Sequence, residues 1–132
     1  MCGRVNARPL PRRLKIWGTP CAAKHSTTPT EESFVGGENG GLANVFVYVK
    51  QGLESLTFPT PASAVVLNQD GCTYRPHVLG VQVGQDITIR NSDGLMHNIN
   101  ASPTDNRPFN VSQPVNMETN RSFGTAEVMV PV

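Results

Sequence analysis

Apolar residues in this chain recur in short alternating runs, and nowhere at helical spacing over several turns. The clearest run is residues 43–50, ANVFVYVK, where Val45, Val47 and Val49 fall on one face and Phe46 and Tyr48 on the other. Apolar residues on both faces predict a central strand buried from both sides. Residues 64–68 predict a second strand, ended by the turn-forming Gln69-Asp70-Gly71. Residues 72–78 predict a third. Pro76 interrupts it and has no N–H for a ladder, which puts that strand at an edge or a bulge. Residues 78–83 show a short strand pattern that meets a turn at Gly84, and residues 86–91 predict the strand that follows. Residues 116–123 and 127–132 predict two more, the last cut short by the chain's end, and residues 14–17 suggest a short edge strand. Residues 99–114 read as a polar stretch broken by Pro103, Pro108 and Pro114. No helix is predicted. Six to eight short strands with regular turn signals imply an all-β sandwich.

Composition supports this reading. The chain has 132 residues, enough for one domain, and it is rich in Gly (12) and Pro (11). The run from Gly36 to Gly41 predicts a turn with positive φ at several positions. Net charge is only +1, which gives no electrostatic case for a nucleic-acid partner or an anionic membrane. The charge is unevenly spread, because Arg4, Arg8, Arg12, Arg13, Lys15 and Lys24 all precede the first acidic residue, Glu31. Residues 1–30 therefore read as an irregular basic arm, and residues 31–132 as the sandwich domain. No apolar run approaches the ~18 residues of a membrane span, and the basic start is not followed by the apolar stretch of a signal peptide.

The side chains with metal chemistry are few. His97 follows the strand at 86–91 and the polar triplet Asn91-Ser92-Asp93, whose side chains can fix a loop by bonding its backbone. An imidazole held in one orientation is what a metal requires, so His97 is the leading ligand candidate. His77, after Pro76, is a second candidate, and a half-buried structural histidine is the plainer reading of it. His25 lies in the irregular arm. Met96 should face away from its neighbour His97 on an extended backbone, and Met117 and Met129 are isolated. Three cysteines leave at least one without a partner. Cys2 is the expected odd one, and Cys21 with Cys72 forms a structural disulfide candidate in an exported protein. Ser92, Asp93 and His97 hold the residue types of a triad but are crowded into one loop. There is no nucleophile elbow, P-loop, HExxH or CxxC, so no enzymatic activity is expected.

Three segments, GGLANVFVYVK, VVLNQDGCTYRPHVLGVQVGQDITIRNSDGLMHNIN and NRPFNVSQPV, resemble bacterial cupredoxin-like proteins, relatives of plastocyanin and azurin. The resemblance runs from about residue 32 to residue 132. It implies a Greek-key β-sandwich with a copper site, an electron-transfer role, a redox partner protein and a periplasmic or extracellular location. His97 occupies the position of the first histidine ligand. In blue-copper members the remaining ligands, a Cys, a second His and a Met, come from a loop beyond the next-to-last strand. No Cys and no His follows His97 here. The resemblance thus implies a C-terminally incomplete domain, lacking its last strand, with an incomplete type 1 copper site and an exposed edge through which copies can associate. The alternative expectation is a metal-free β-sandwich serving as a binding or structural module.

Overall fold

The computed structural model describes residues 19–132. The chain divides after Val45 into two compact units. In the first, α1 (Thr19–Ala22) is the only helix among the described residues. A bridge between Gly36 and Leu42 closes the glycine-rich turn, with Gly37 N–H donating to the Gly41 carbonyl at 2.8 Å. Within that run only Gly40, at φ 75°, takes a left-handed conformation, so one flexible position suffices for the reversal.

The second unit is built from β-strands in two sheets. The larger has the order β2 (Thr73–Arg75), β1 (Val65–Asp70), β3 (Ile87–Asn91), β6 (Glu118–Arg121). The β1–β3 pairing is parallel and the other two are antiparallel. The smaller sheet pairs β4 (His97–Ala101) with β5 (Phe109–Gln113) antiparallel. Alternation decides which side chains face inward. Leu67, Ile87 and Ile89 from the larger sheet pack with Ile99 from the smaller, and Val65, Tyr74, Leu79, Val81, Phe109, Val111 and Phe123 surround them. The two sheets therefore share one apolar core, as a sandwich requires.

One end of this core is polar. Register pairs Gln69 with Asn91 in the larger sheet and His97 with Gln113 in the smaller. Gln69, Asn91 and Gln113 are all buried. The Gln69 amide donates to Gln113 Oε1, and Gln113 Nε2 donates to the Ile89 carbonyl at 3.1 Å and to Thr119 Oγ1 at 3.3 Å. Gln113 thus bolts the small sheet to three strands of the large one. Among the described residues no buried side-chain nitrogen or oxygen lacks a partner, which is the condition for such a network to stabilise the fold.

Several expected strands do not form. Residues 45–50 join no sheet, and Val47 is 85 % exposed. Alternation there is present without a neighbouring ladder, and a strand needs the partner as well as the pattern. Residues 78–83 are irregular, although Leu79 and Val81 still insert into the core. Residues 127–132 are irregular too, tied by Ser102 N–H donating to the Pro131 carbonyl at 2.9 Å. Conversely, β5 and the last three residues of β4 lie in the stretch read as a broken polar connection. Both alternate, with Ile99, Ala101 and Gln113 inward and Asn98, Asn100, Asn110 and Ser112 outward. The strand expected at 72–78 shortens to β2 at the sheet edge, where Pro76 follows it. The strand proposed for residues 14–17 lies outside the described residues. Among the described residues no helix is long and apolar enough to cross a membrane.

Candidate functional site

The β1–β2 hairpin turns through Gly71 and Cys72, both in the left-handed region at φ 62° and 56°. Positive φ at both central residues is the type I′ geometry, whose twist matches a two-residue hairpin. Gly71 adopts it without strain, whereas Cys72 must be held there. The holding group is the Asp93 carboxylate. Its Oδ1 accepts from Gly71 N–H at 2.9 Å and its Oδ2 from Cys72 N–H at 2.8 Å.

Asp93 is placed by the end of β3. Asn91 Oδ1 accepts from Asp93 N–H at 2.9 Å, forming a side-chain turn. The Asn91 amide donates to the carbonyls of Leu95, Gln113 and Pro114 at 2.8, 3.0 and 3.1 Å. One buried amide thereby shapes the whole β3–β4 connection and delivers His97 at the first position of β4. His97 Nε2 lies 2.7 Å from Asp93 Oδ2, and its side chain is 15 % exposed against 1 % for Asp93. Burial pushes the Asp93 carboxyl up. The Cys72 N–H, the His97 ring and the Gly71 N–H together outweigh burial and hold it below the ordinary carboxylate range.

Cys72, Asp93 and His97 each bring one metal-ligating atom to a common point, all within 4.8 Å of one another. Asp93 enters this cluster from a position that sequence spacing assigned to a local loop cap. Its main bonds instead reach across 21 and 22 residues to the hairpin turn. The strand alternation and the Asp-Gly signal at the turn mark each half separately, and no local pattern joins them. His77 is not part of the cluster. Its Nε2 sits 2.7 Å from Arg75 Nη1 on the exposed edge, and since a guanidinium only donates, the lone pair on that nitrogen is engaged. Met96 and Met129 are 73 % and 82 % exposed. Cys21 and Cys72 are both disulfide-bonded.

A blue-copper centre takes two imidazoles and a thiolate, with a weak axial thioether. The cluster supplies one imidazole, one carboxylate and a sulfur in disulfide form, and so does not match that donor set. Comparison of the chain with family models, curated proteins and solved structures finds no match.

Proposed function

We propose that the sandwich is a cupredoxin-like copper-binding domain of the electron-transfer class, with His97 as its imidazole ligand and the remainder of a type 1 donor set not assembled around it. The observation that carries the reading is the Asp93–His97 contact. A carboxylate fixing one ring nitrogen is the usual way a protein orients a metal-binding imidazole and raises its basicity. The segment resemblance supplies the choice of copper. No electron-transfer step is assigned to these residues, because the donors beside His97 are not those of a blue site.

Calorimetric titration of the oxidised chain with Cu(II) tests this. One ion should bind, His97→Ala should weaken it about tenfold or more, and His77→Ala should leave it unchanged. No intense blue colour should develop, since the cluster offers copper no thiolate while Cys72 is disulfide-bonded. Absence of binding, or binding indifferent to His97→Ala, favours a second reading, a metal-free binding or structural module. That reading is supported by the clamp itself, in which Asp93 and His97 satisfy one another and brace the Gly71-Cys72 turn.

A further inference from the structure

We propose that Cys72, Asp93 and His97 form a thiol-gated site for one divalent cation of the zinc class, closed while Cys72 is disulfide-bonded and opened by a dithiol reductant. This does not depend on the copper reading. It shares His97 with that reading but adds the Cys72 thiolate and the Asp93 carboxylate, in a different oxidation state of the protein.

The geometry is close to what such an ion needs. Zinc bonds are about 2.3 Å to sulfur and about 2.0–2.2 Å to imidazole nitrogen and carboxylate oxygen, which puts neighbouring tetrahedral donors about 3.3–3.6 Å apart. The three ligand atoms lie within 4.8 Å of each other, so the widest gap must close by up to about 1.5 Å, while the 2.7 Å contact between His97 Nε2 and Asp93 Oδ2 must open by about 0.6 Å. The mixture of soft sulfur, imidazole and carboxylate is one that zinc accepts, with water as the fourth ligand. One of the three donors is already fixed, because Asp93 is held by the Gly71 and Cys72 N–H groups and by Asn91; the ion would take the place of its contact with His97 Nε2. Partial exposure of Cys72 and His97 leaves a way in, while Asp93 lies beneath.

The gate follows from sulfur chemistry. A disulfide sulfur carries no charge and is a poor ligand, whereas a thiolate is a strong one. The dithiol gives two electrons and two protons to the disulfide, becomes a disulfide itself, and leaves two protein thiols. Cys72 then loses its proton to water as the sulfur–metal bond forms. A divalent ion offsets the negative charges of the Cys72 thiolate and the Asp93 carboxylate, so deprotonation and metal binding occur together.

The test uses the 132-residue chain with Co(II) as a spectroscopic stand-in for zinc. A phosphine reduces the disulfide by taking oxygen from water, and a dithiol is avoided because it would compete for the metal. The reduced chain should bind one Co(II), show a thiolate-to-cobalt charge-transfer band, and release the ion to Zn(II). Its affinity should exceed that of the oxidised chain about 100-fold. Cys72→Ser should abolish the band. His97→Gln, at a half-buried position that tolerates polarity, should weaken binding about tenfold or more. Cys2→Ser and Cys21→Ser should leave the band in place under reduction. Circular dichroism of each variant confirms that the sandwich is intact. Equal affinity in both oxidation states, a band that survives Cys72→Ser, or one lost with Cys21→Ser overturns the proposal.

Discussion

The sandwich is closed differently at its two ends. At one end Val65 faces Ile87 within the large sheet, Ala101 faces Phe109 within the small one, and Phe109 stacks on Phe123 with ring centroids 6.4 Å apart. At the other end the same strands present Gln69, Asn91, His97 and Gln113. Hydrocarbon contact is non-directional and tolerates small shifts, contributing about 1.5–3 kcal/mol per buried large side chain. An amide network contributes only about 1 kcal/mol per bond, but each group left unpartnered costs about 1–3 kcal/mol. The apolar end therefore supplies most of the cohesion. The polar end supplies a single allowed arrangement, and the Cys72–Asp93–His97 cluster sits where positions are most tightly specified.

Three single substitutions and one double variant probe this contrast, the most damaging single substitution first. Ile99→Ala empties the centre of the core, since Ile99 is fully buried between the sheets. It should cost about 2–5 kcal/mol in urea unfolding. An effect below about 1 kcal/mol would mean that the hydrocarbon contact is not the main cohesive contribution. Gln113→Leu should cost about 2–3 kcal/mol by stranding the Gln69 amide and the Ile89 carbonyl. Adding Gln69→Leu should return part of that loss, because two apolar partners leave one fewer orphan. A double variant as unstable as the sum of the singles would show that the bolt is not one coupled unit.

Asp93→Asn is the mildest of the three at neutral pH, about 1–2 kcal/mol, since one carbonyl oxygen replaces two acceptors. Its distinctive signature is in acid. The folded-state pKa of Asp93 lies below its unfolded value, so the folded form binds fewer protons. That contribution is complete above about pH 4 and disappears as the pH falls below it. Unfolding midpoints of the parent chain should drop along this limb, and those of Asp93→Asn should drop less. Parallel acid limbs for the two would remove the carboxylate from the account.

Periodicity made β1, β3 and β6 legible, because their inward residues alternate beside clear turn signals. It left β4 and β5 unread, since their outward positions are Asn and Ser and the intervening prolines read as a break. It also promoted residues 43–50, whose apolar faces carry no information about whether a neighbouring strand exists. At the cluster, His97 was marked as a candidate by its place after a polar triplet, and it lies beside Asp93. The partnership of Asp93 with Gly71 and Cys72 was not legible, because it depends on how the parallel β1–β3 pairing lays the hairpin turn against the β3–β4 connection. Residue types are local, whereas that juxtaposition follows from topology.

The parallel pairing also makes the hairpin turn depend on a strand distant in sequence. The β1–β2 hairpin closes over two residues, Gly71 and Cys72, and hairpins of this kind form in about 1–10 μs. Without β3 beside β1, its left-handed cysteine has no clamp. Docking must close the chain between Asp70 and Ile87 before any β1–β3 ladder bond rewards it. A two-stranded hairpin alone is marginally stable at best, so the aspartate acts as a latch between two segments distant in sequence. Substitutions at Gly71 should alter how often the hairpin is ready, and substitutions at Asp93 how long the docked state survives.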